Sequence, residues 1–479
     1  MTDAVVVGSG PNGLAAAVRL AQAGAKVLVL EGQDEIGGGT RSGAATLPGF
    51  VHDLCSAVHP MAFVSPWFRN LPLAEHGLSW IFPPLSVAHP LDDGLAVRLE
   101  LSLETTAAGF DNPDDARSYQ GLLGPLLREP LALLKDALAP PGWPQHPWQL
   151  LRFGLLGMRS AESLADRFRG PRARALLAGC AAHSILPLDR AFTGAMALLF
   201  LLIGHVATWP VAAGGSMALP RALASILKSH GGQIQTGRWV RALADLPPAR
   251  LYLFDTSPAQ LARIAGPVLP ARYLRRLARF VYGPGVFKLD WALDGPIPWR
   301  DPGCLEASTV HLGGTFEEIA RGEAAVWQGE HPDRPFVLLC QQSQFDPTRA
   351  PATKHTGYAY CHVPAGSTRD LTETVERQIE RFAPGFRTRI LARHATLAPD
   401  LERRNPNDVG GAITGGAADA GQLFTRPVAR LNPYTTPNPR VLICSASTPP
   451  GGGVHGMCGY HAAGTALSRL HRFRPGPLG

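Results

Sequence analysis

Apolar positions fall into a strand–turn–helix–strand rhythm from the start of the chain. Val5-Val6-Val7 is a short continuous apolar run, as expected of a strand buried on both faces. Gly8-Ser9-Gly10-Pro11-Asn12-Gly13 interrupts it, and an Ala-rich helical segment follows. Lys26-Val27-Leu28-Val29-Leu30-Glu31 then predicts a second strand ending in a carboxylate. At the other end, Arg440-Val441-Leu442-Ile443-Cys444 reads as a third short buried strand. A Gly-rich loop and a helix from about Gly459 to Leu470 come after it. In the middle, Gly231 to Val240 and Arg250 to Thr256 predict a strand pair at a sheet edge, entered through a Gly turn.

Two long segments separate these pieces. Residues 76–206 are rich in Leu and Ala at helical spacing, with Leu122, Leu123, Leu126, Leu127, Leu131 and Leu134 on one face, the pattern of an ordinary helix core. Residues 261–404 contain strand-like runs, Val286 to Trp291 and Phe336 to Cys340. The expected organisation is α/β. A discontinuous Rossmann-like domain is formed by 1–75, 207–260 and 405–479. A mainly helical insertion spans 76–206, and a second insertion of sheet plus helices spans 261–404.

Each part of the first motif suits a dinucleotide. Gly8 permits a sharp turn, Gly10 lets backbone approach a pyrophosphate, and Gly13 lets the helix pack close on the strand. Pro11 fits the first helical turn, where its missing N–H costs nothing. Asn12 follows it among the N–H groups at the positive end of the helix dipole, which face the phosphates. Glu31, 18 residues after Gly13, is near the spacing of the acid that binds a ribose hydroxyl.

Gly37-Gly38-Gly39-Thr40-Arg41 places a second stretch of small residues after the second strand, and a nicotinamide-only domain has no need of it. Arg41 offers a bidentate fork to a pyrophosphate or a flavin-side group; the alternative is a surface loop. Gly451, Gly453 and Gly456 formally repeat the GxGxxG pattern. Only 23 residues follow Gly456, however, and none is Asp or Glu, too little for a second βαβ unit with its acid. The better reading is a strand–loop–helix, from Ser445 through Gly452, Gly453, Val454, His455 and Met457, that returns to the same cofactor.

The acid, Gly-Gly and Arg spacing resembles the FAD signature of the amine oxidase and phytoene desaturase superfamily. Ser56-Ala57-Val58-His59-Pro60, Trp209-Pro210-Val211 with Gly214-Gly215, and Pro449-Pro450-Gly451-Gly452-Gly453 resemble the phytoene desaturase-related flavoproteins. The likeness is strongest to the pyridine nucleotide-disulfide oxidoreductase domain 2-like branch. It covers nearly the whole chain, most firmly the two ends. It implies a FAD-containing oxidoreductase, with Val240 giving backbone contacts to the adenine, Thr256 closing its strand near the cofactor, and a sheet roofed by helices as the substrate chamber.

Composition narrows the picture further. Hydrophobic residues make up 45% and charged residues 17%, an apolar balance. The net charge of +7 comes from 40 Arg and five Lys that form no long run, so nucleic-acid binding is not expected. A mildly basic, apolar surface is compatible with peripheral contact with an anionic membrane. The exposed option for such contact is the helix face of Arg272, Arg275, Arg276 and Arg279. The charge-free stretch from Ala191 to Pro220 is broken at Trp209-Pro210 and Gly214-Gly215, and reads as a buried helix lining a cavity rather than a membrane span. The seven scattered Cys contain no CxxC, which argues for a reduced, cytoplasmic setting and against a redox dithiol or structural zinc. The chain runs straight into its first strand, with no room for a signal peptide.

Flavin chemistry asks little of protein acids and bases, because FAD accepts the hydride at N5. Catalytic candidates therefore come from the cofactor loops: His455, His59 and Tyr460, each equally readable as a packing residue. Asp290 on its apolar strand reads as a half-buried acid or a strand-edge ion pair. The leading expectation is a FAD-dependent dehydrogenase, desaturase or isomerase acting on an apolar, isoprenoid- or polyene-like substrate. Its electrons would pass to oxygen, a quinone or another carrier. An amine oxidase-like enzyme and a non-catalytic FAD-binding scaffold for membranes or partners remain as alternatives.

Overall fold

A computed structural model describes residues 2–140 and 142–478. The first sheet is parallel throughout, in the order Val441–Ile443, Ala249–Phe254, Thr2–Val7, Val27–Leu30, Gln233–Gln235. The two central strands are buried on both faces, which is why they read as unbroken apolar runs. The helices Pro11–Gln22, Ala218–Ser229 and Met457–Leu467 pack together over this sheet. The last of them starts at Met457 rather than Gly459.

The expected pair of middle strands is not a pair. Gln233–Gln235 lies at one edge beside Val27–Leu30, whereas Ala249–Phe254 is inserted between Thr2–Val7 and Val441–Ile443. Burial explains the separation: the first is mostly exposed, and the second is buried along its length except at Arg250.

The second sheet is mixed. Its order is Ile390–Thr396, Gly285–Leu293, His355–Val363, Val337–Cys340, Ala307–Leu312, Leu85–Pro90, Ala96–Leu99, with one parallel pairing, between Ala307–Leu312 and Leu85–Pro90. Two of these strands come from the segment expected to be mainly helical, so 76–206 contributes to the sheet as well as to its roof. Asp290 sits on the fully buried strand Gly285–Leu293, flanked on both sides, and not at an edge. It pairs with Lys288 and lies 3.5 Å from His52 Nδ1.

The roof is built from short helices, four of which, Pro113–Leu123, Pro130–Ala137, Pro147–Gly157 and Pro171–Ala182, begin with Pro, where no N–H is needed. The Leu face expected for 122–134 is split between the first two; Leu122, Leu123, Leu126 and Leu134 are buried but Leu131 is exposed. Thr193–Val206 spans the first half of the charge-free stretch and packs Leu198, Leu201, Leu202 and Ile203 into the core. Among the described residues, no helix is long and apolar enough to cross a membrane.

Candidate cofactor and substrate cavity

One cavity of about 800 Å³ runs between the two sheets and collects residues from all parts of the chain. At one end it is walled by the carboxyl ends of the parallel strands, the usual binding edge of such sheets. Gly8 has a φ of 99°, which only glycine adopts without strain, and it turns the chain into the first helix. A Cβ on Gly13 would stand 2.2 Å from the Gly8 carbonyl, so this glycine sets helix-to-strand packing and lies behind the cavity wall. A Cβ on Gly38 would stand 3.1 Å from Gly10 Cα: the two glycine loops touch.

Glu31 holds this cradle in register. Its carboxylate accepts from Ser9 N (2.9 Å), Ser9 Oγ (2.5 Å) and Gln33 N (2.9 Å). Arg238 to Val240 follow alongside, with Arg238 N donating to the Glu31 carbonyl at 2.7 Å, which brings Trp239 and Val240 to the same end of the cavity. Gly8, Gly10, Pro11, Asn12, Gly38, Gly39, Thr40, Arg41, Thr256, Ser445, Gly452, Gly453, Val454 and His455 also line it. Gly37, at φ 113°, starts the turn of Gly38–Thr40 without lining the cavity. Met457 is buried beneath the last loop, its N–H donating to His455 Nδ1.

Of the three catalytic candidates, two line the cavity. His59 donates from Nε2 to Ser216 Oγ (2.8 Å). That direction is set because the Ser216 hydroxyl proton already goes to the Ser56 carbonyl. Burial lowers the His59 pKa to about 4, so the ring is neutral, and its Nδ1 lone pair faces the Ser56 hydroxyl at 3.5 Å. His455, also lowered to about 4 by burial, spends Nδ1 on the Met457 amide and serves to hold its loop. Tyr460 lies outside the cavity lining, stacked between Arg19 (3.7 Å) and Trp67 (5.7 Å). Its position, one turn into the final helix, turns it away from the loop that precedes it.

Several lining residues escaped the sequence reading. Asp255, just past the strand Ala249–Phe254, accepts from Gly13 N at 2.8 Å. Burial, reinforced by nearby Glu31, raises its pKa to about 7, so its charge is readily lost beside an anionic group. Arg404, the last residue of the second insertion, accepts at its carbonyl from Arg41 Nη2 (3.2 Å), and Asn407 and Asp408 follow it along the cavity, Asn407 Oδ1 accepting from Ser257 N at 2.7 Å. The position of Asp255 at a strand's carboxyl end was a usable signal; the contacts of 404–408 depend on the insertion folding back and had none.

The cradle fits FAD. Asn12 Oδ1 and Thr256 Oγ1 are buried, line the cavity and have no partner among the described residues, which leaves each able to hydrogen-bond a ligand. The cavity also extends well beyond a mononucleotide unit, past the Gly38–Arg41 loop to the Gly452–His455 loop. Gly10→Val is expected to abolish flavin retention, because its Cβ would stand 2.8 Å from Asp255 Oδ2. The flavin-to-protein ratio of the purified, folded variant is the check, and a normal ratio would refute the placement of the pyrophosphate.

Residues 6–71 match the family described as NAD(P)-binding Rossmann-like domain. The mouse pyridine nucleotide-disulfide oxidoreductase domain-containing protein 2 is 26% identical, over 96% of this chain and 92% of the relative. A phytoene dehydrogenase of Streptomyces griseus is 27% identical over 85% of this chain and 80% of the relative. Both relatives are similar to this chain over most of its length. An engineered putrescine oxidase shares the fold, with a TM-score of 0.63 at 17% identity over 98% of this chain and 99% of its own. The protein is a FAD-dependent oxidoreductase similar in sequence to phytoene dehydrogenase. That match covers the first dinucleotide unit, and the second and third glycine loops line the same cavity.

Beyond the cofactor end, the cavity becomes an apolar chamber lined by Leu150, Phe153, Met196, Leu199, Phe200, Trp209, Leu338, Tyr358 and Tyr360. Its opening is apolar too: Trp143, Met158 and Phe424 line the cavity and are also exposed, Trp143 to 94%.

Proposed function

We propose that the protein withdraws a hydride from an apolar, isoprenoid- or polyene-like molecule, in a dehydrogenase, desaturase or isomerase reaction, and takes that molecule from a membrane surface. The observation that supports this best is the continuity of an oily chamber with an oily exterior. The helix Pro147–Gly157 buries only Gly157, yet it carries Trp148 (80% exposed), Leu151 and Leu155 on its outer face. Met158 and Trp143 continue that face to the opening, where Phe192 meets Phe424 at 5.5 Å. Exposed Trp and Leu beside Lys135, Arg152 and Arg159 suit the boundary of an anionic bilayer. A solute delivered there avoids crossing water.

Bound FAD supplies the hydride-accepting ring. The chain's own contribution is to enclose the substrate in apolar walls that exclude water, and to present His59 as a neutral, oriented imidazole. An amine substrate has one observation in its favour, the Tyr358–Tyr360 pair on the chamber wall, with rings 6.2 Å apart at 89°. Against it, Lys288 Nζ already occupies a face of Tyr358 at 4.4 Å.

Anaerobic titration separates the readings. Polyene- or isoprenoid-loaded vesicles should bleach the bound flavin and amines should not; bleaching by amines alone would overturn the proposal. The Trp143→Asp, Trp148→Asp double variant should keep its flavin yet lose co-sedimentation with anionic vesicles. Unchanged sedimentation would remove the membrane part of the reading.

A further inference from the structure

One polar side chain stands among the aromatic rings of the chamber wall. His183, at the end of the helix Pro171–Ala182, lines the helical wall with its ring 4.3 Å from Phe200 and 5.6 Å from Trp209. Its Nε2 lies 3.0 Å from His311 Nε2, so one of these nitrogens carries the proton and the other accepts it.

The layer behind fixes the direction. His311 is fully buried, and its Nδ1 has no hydrogen-bond partner. Gly179 faces that nitrogen: a Cβ there would stand 2.6 Å from His311 Nδ1 and 3.0 Å from His89 Nδ1. A glycine C–H is a partner for a lone pair and not for an N–H. His89 fits the same pattern, because its Nε2 donates to the Gly314 carbonyl (2.8 Å) and so leaves a lone pair on Nδ1. Hence His311 carries its proton on Nε2 and donates it to His183 Nε2. That leaves the His183 proton on Nδ1, for which no hydrogen bond is found among the described residues. Burial keeps both rings neutral: the His183 pKa falls to about 3 and that of His311 lies well below the usual imidazole range.

From this geometry we propose that His183 Nδ1–H is a hydrogen-bond donor subsite in the apolar chamber, which selects substrates bearing an acceptor oxygen, as a carbonyl, ether or hydroxyl, on an otherwise hydrocarbon skeleton. His311 is a positioning residue that acts through the His183 tautomer, and Gly179 leaves room for that arrangement. The inference rests on the chamber being the substrate site. An unpaired donor facing hydrocarbon is a poor match, whereas an oxygen placed there is held in a dry, low-dielectric site.

The test uses the FAD-loaded protein and two probes, farnesyl methyl ether and the hydrocarbon that has a methylene in place of its ether oxygen, with binding read from perturbation of the flavin spectrum. The wild type should bind the ether about tenfold more tightly, the factor expected of one ordinary buried hydrogen bond. His183→Phe should weaken the ether alone and bring the ratio to about one. His183→Asn, which restores an N–H, should recover part of the preference. Equal binding of both probes by the wild type, or equal loss of both in His183→Phe, would overturn the donor subsite while leaving the chamber reading intact. Failure of the wild type to bind either probe would count against the chamber itself, and the donor subsite would fall with it. In ¹⁵N-histidine-labelled wild-type protein, which needs no variant to fold, the His183 signals should show a protonated Nδ1 and an accepting Nε2. The opposite tautomer would equally sink the proposal.

Discussion

Gly459→Ala should cost about 4 kcal/mol of stability and strip the protein of its flavin. The added Cβ would stand 1.8 Å from the Asn12 carbonyl and 2.9 Å from Ala16 N, both backbone atoms of the first helix. Backbone cannot swing aside as a flexible side chain can, so the helices Pro11–Gln22 and Met457–Leu467 must separate. They begin at the two loops that approach the cofactor, Gly8–Gly13 and Gly451–Gly456, and their separation opens the cradle from both sides. Thermal unfolding and the flavin-to-protein ratio measure the two effects. A variant with wild-type melting temperature and full flavin content would show that the helices do not meet at this contact.

The second large effect is expected at Arg349, which is fully buried. Its Nη1 donates to Asp53 Oδ2 (3.1 Å), its Nε to Asp346 Oδ2 (2.9 Å) and its Nη2 to the Ala212 carbonyl (3.1 Å). Asp53 belongs to the hairpin after the second glycine loop, and Arg349 follows a strand of the second sheet, so this network fastens the two bodies around the cavity. Arg349→Met should destabilise the protein by about 3–5 kcal/mol at neutral pH, the usual cost of leaving a buried charge without its partner.

The pH dependence has a definite sign. Burial pushes the Asp53 carboxyl upward, but Arg349, the Ser42 hydroxyl and the Ser216 amide together hold it below the ordinary carboxylate range. In the wild type its contribution is present above the unfolded carboxylate pKa and lost as pH falls through the lower folded value. Without Arg349, burial dominates and the folded pKa rises above the unfolded one. The variant then regains stability as pH falls from 7 toward 5 and Asp53 takes up a proton, so its deficit relative to the wild type narrows. Chemical denaturation across that range is the measurement, and a deficit that widens on acidification would contradict this account.

The glycine loops were legible in the sequence because their chemistry is local. A turn that requires positive φ, a helix start and a terminal carboxylate all lie within the 31 residues from Met1 to Glu31, and spacing alone carries them. The same logic disposed of the Gly451–Gly456 repeat, whose helix returns to the first sheet as expected. What the pattern could not give was neighbourhood. Ala249–Phe254 and Gln233–Gln235 are adjacent in sequence and apart in the sheet, and Leu85–Pro90 pairs with Ala307–Leu312, which lies more than 200 residues further on. Tyr460 looked like a cavity residue from its place after the last loop, and only the direction of its helix turns it onto Arg19.

By itself, then, the sequence determined the dinucleotide cradle, the single-cofactor arithmetic and the apolar character of the insertions, since these follow from backbone conformation and composition. The tertiary structure alone decided where that apolarity goes: inward as a chamber beside the cradle, outward as the exposed Trp143–Trp148 rim. It also decided that His183, Asp255 and Asp408, unremarkable in sequence, face the cavity. A side chain's burial, tautomer and charge are set by what folding brings against it from distant parts of the chain, and no local pattern encodes that.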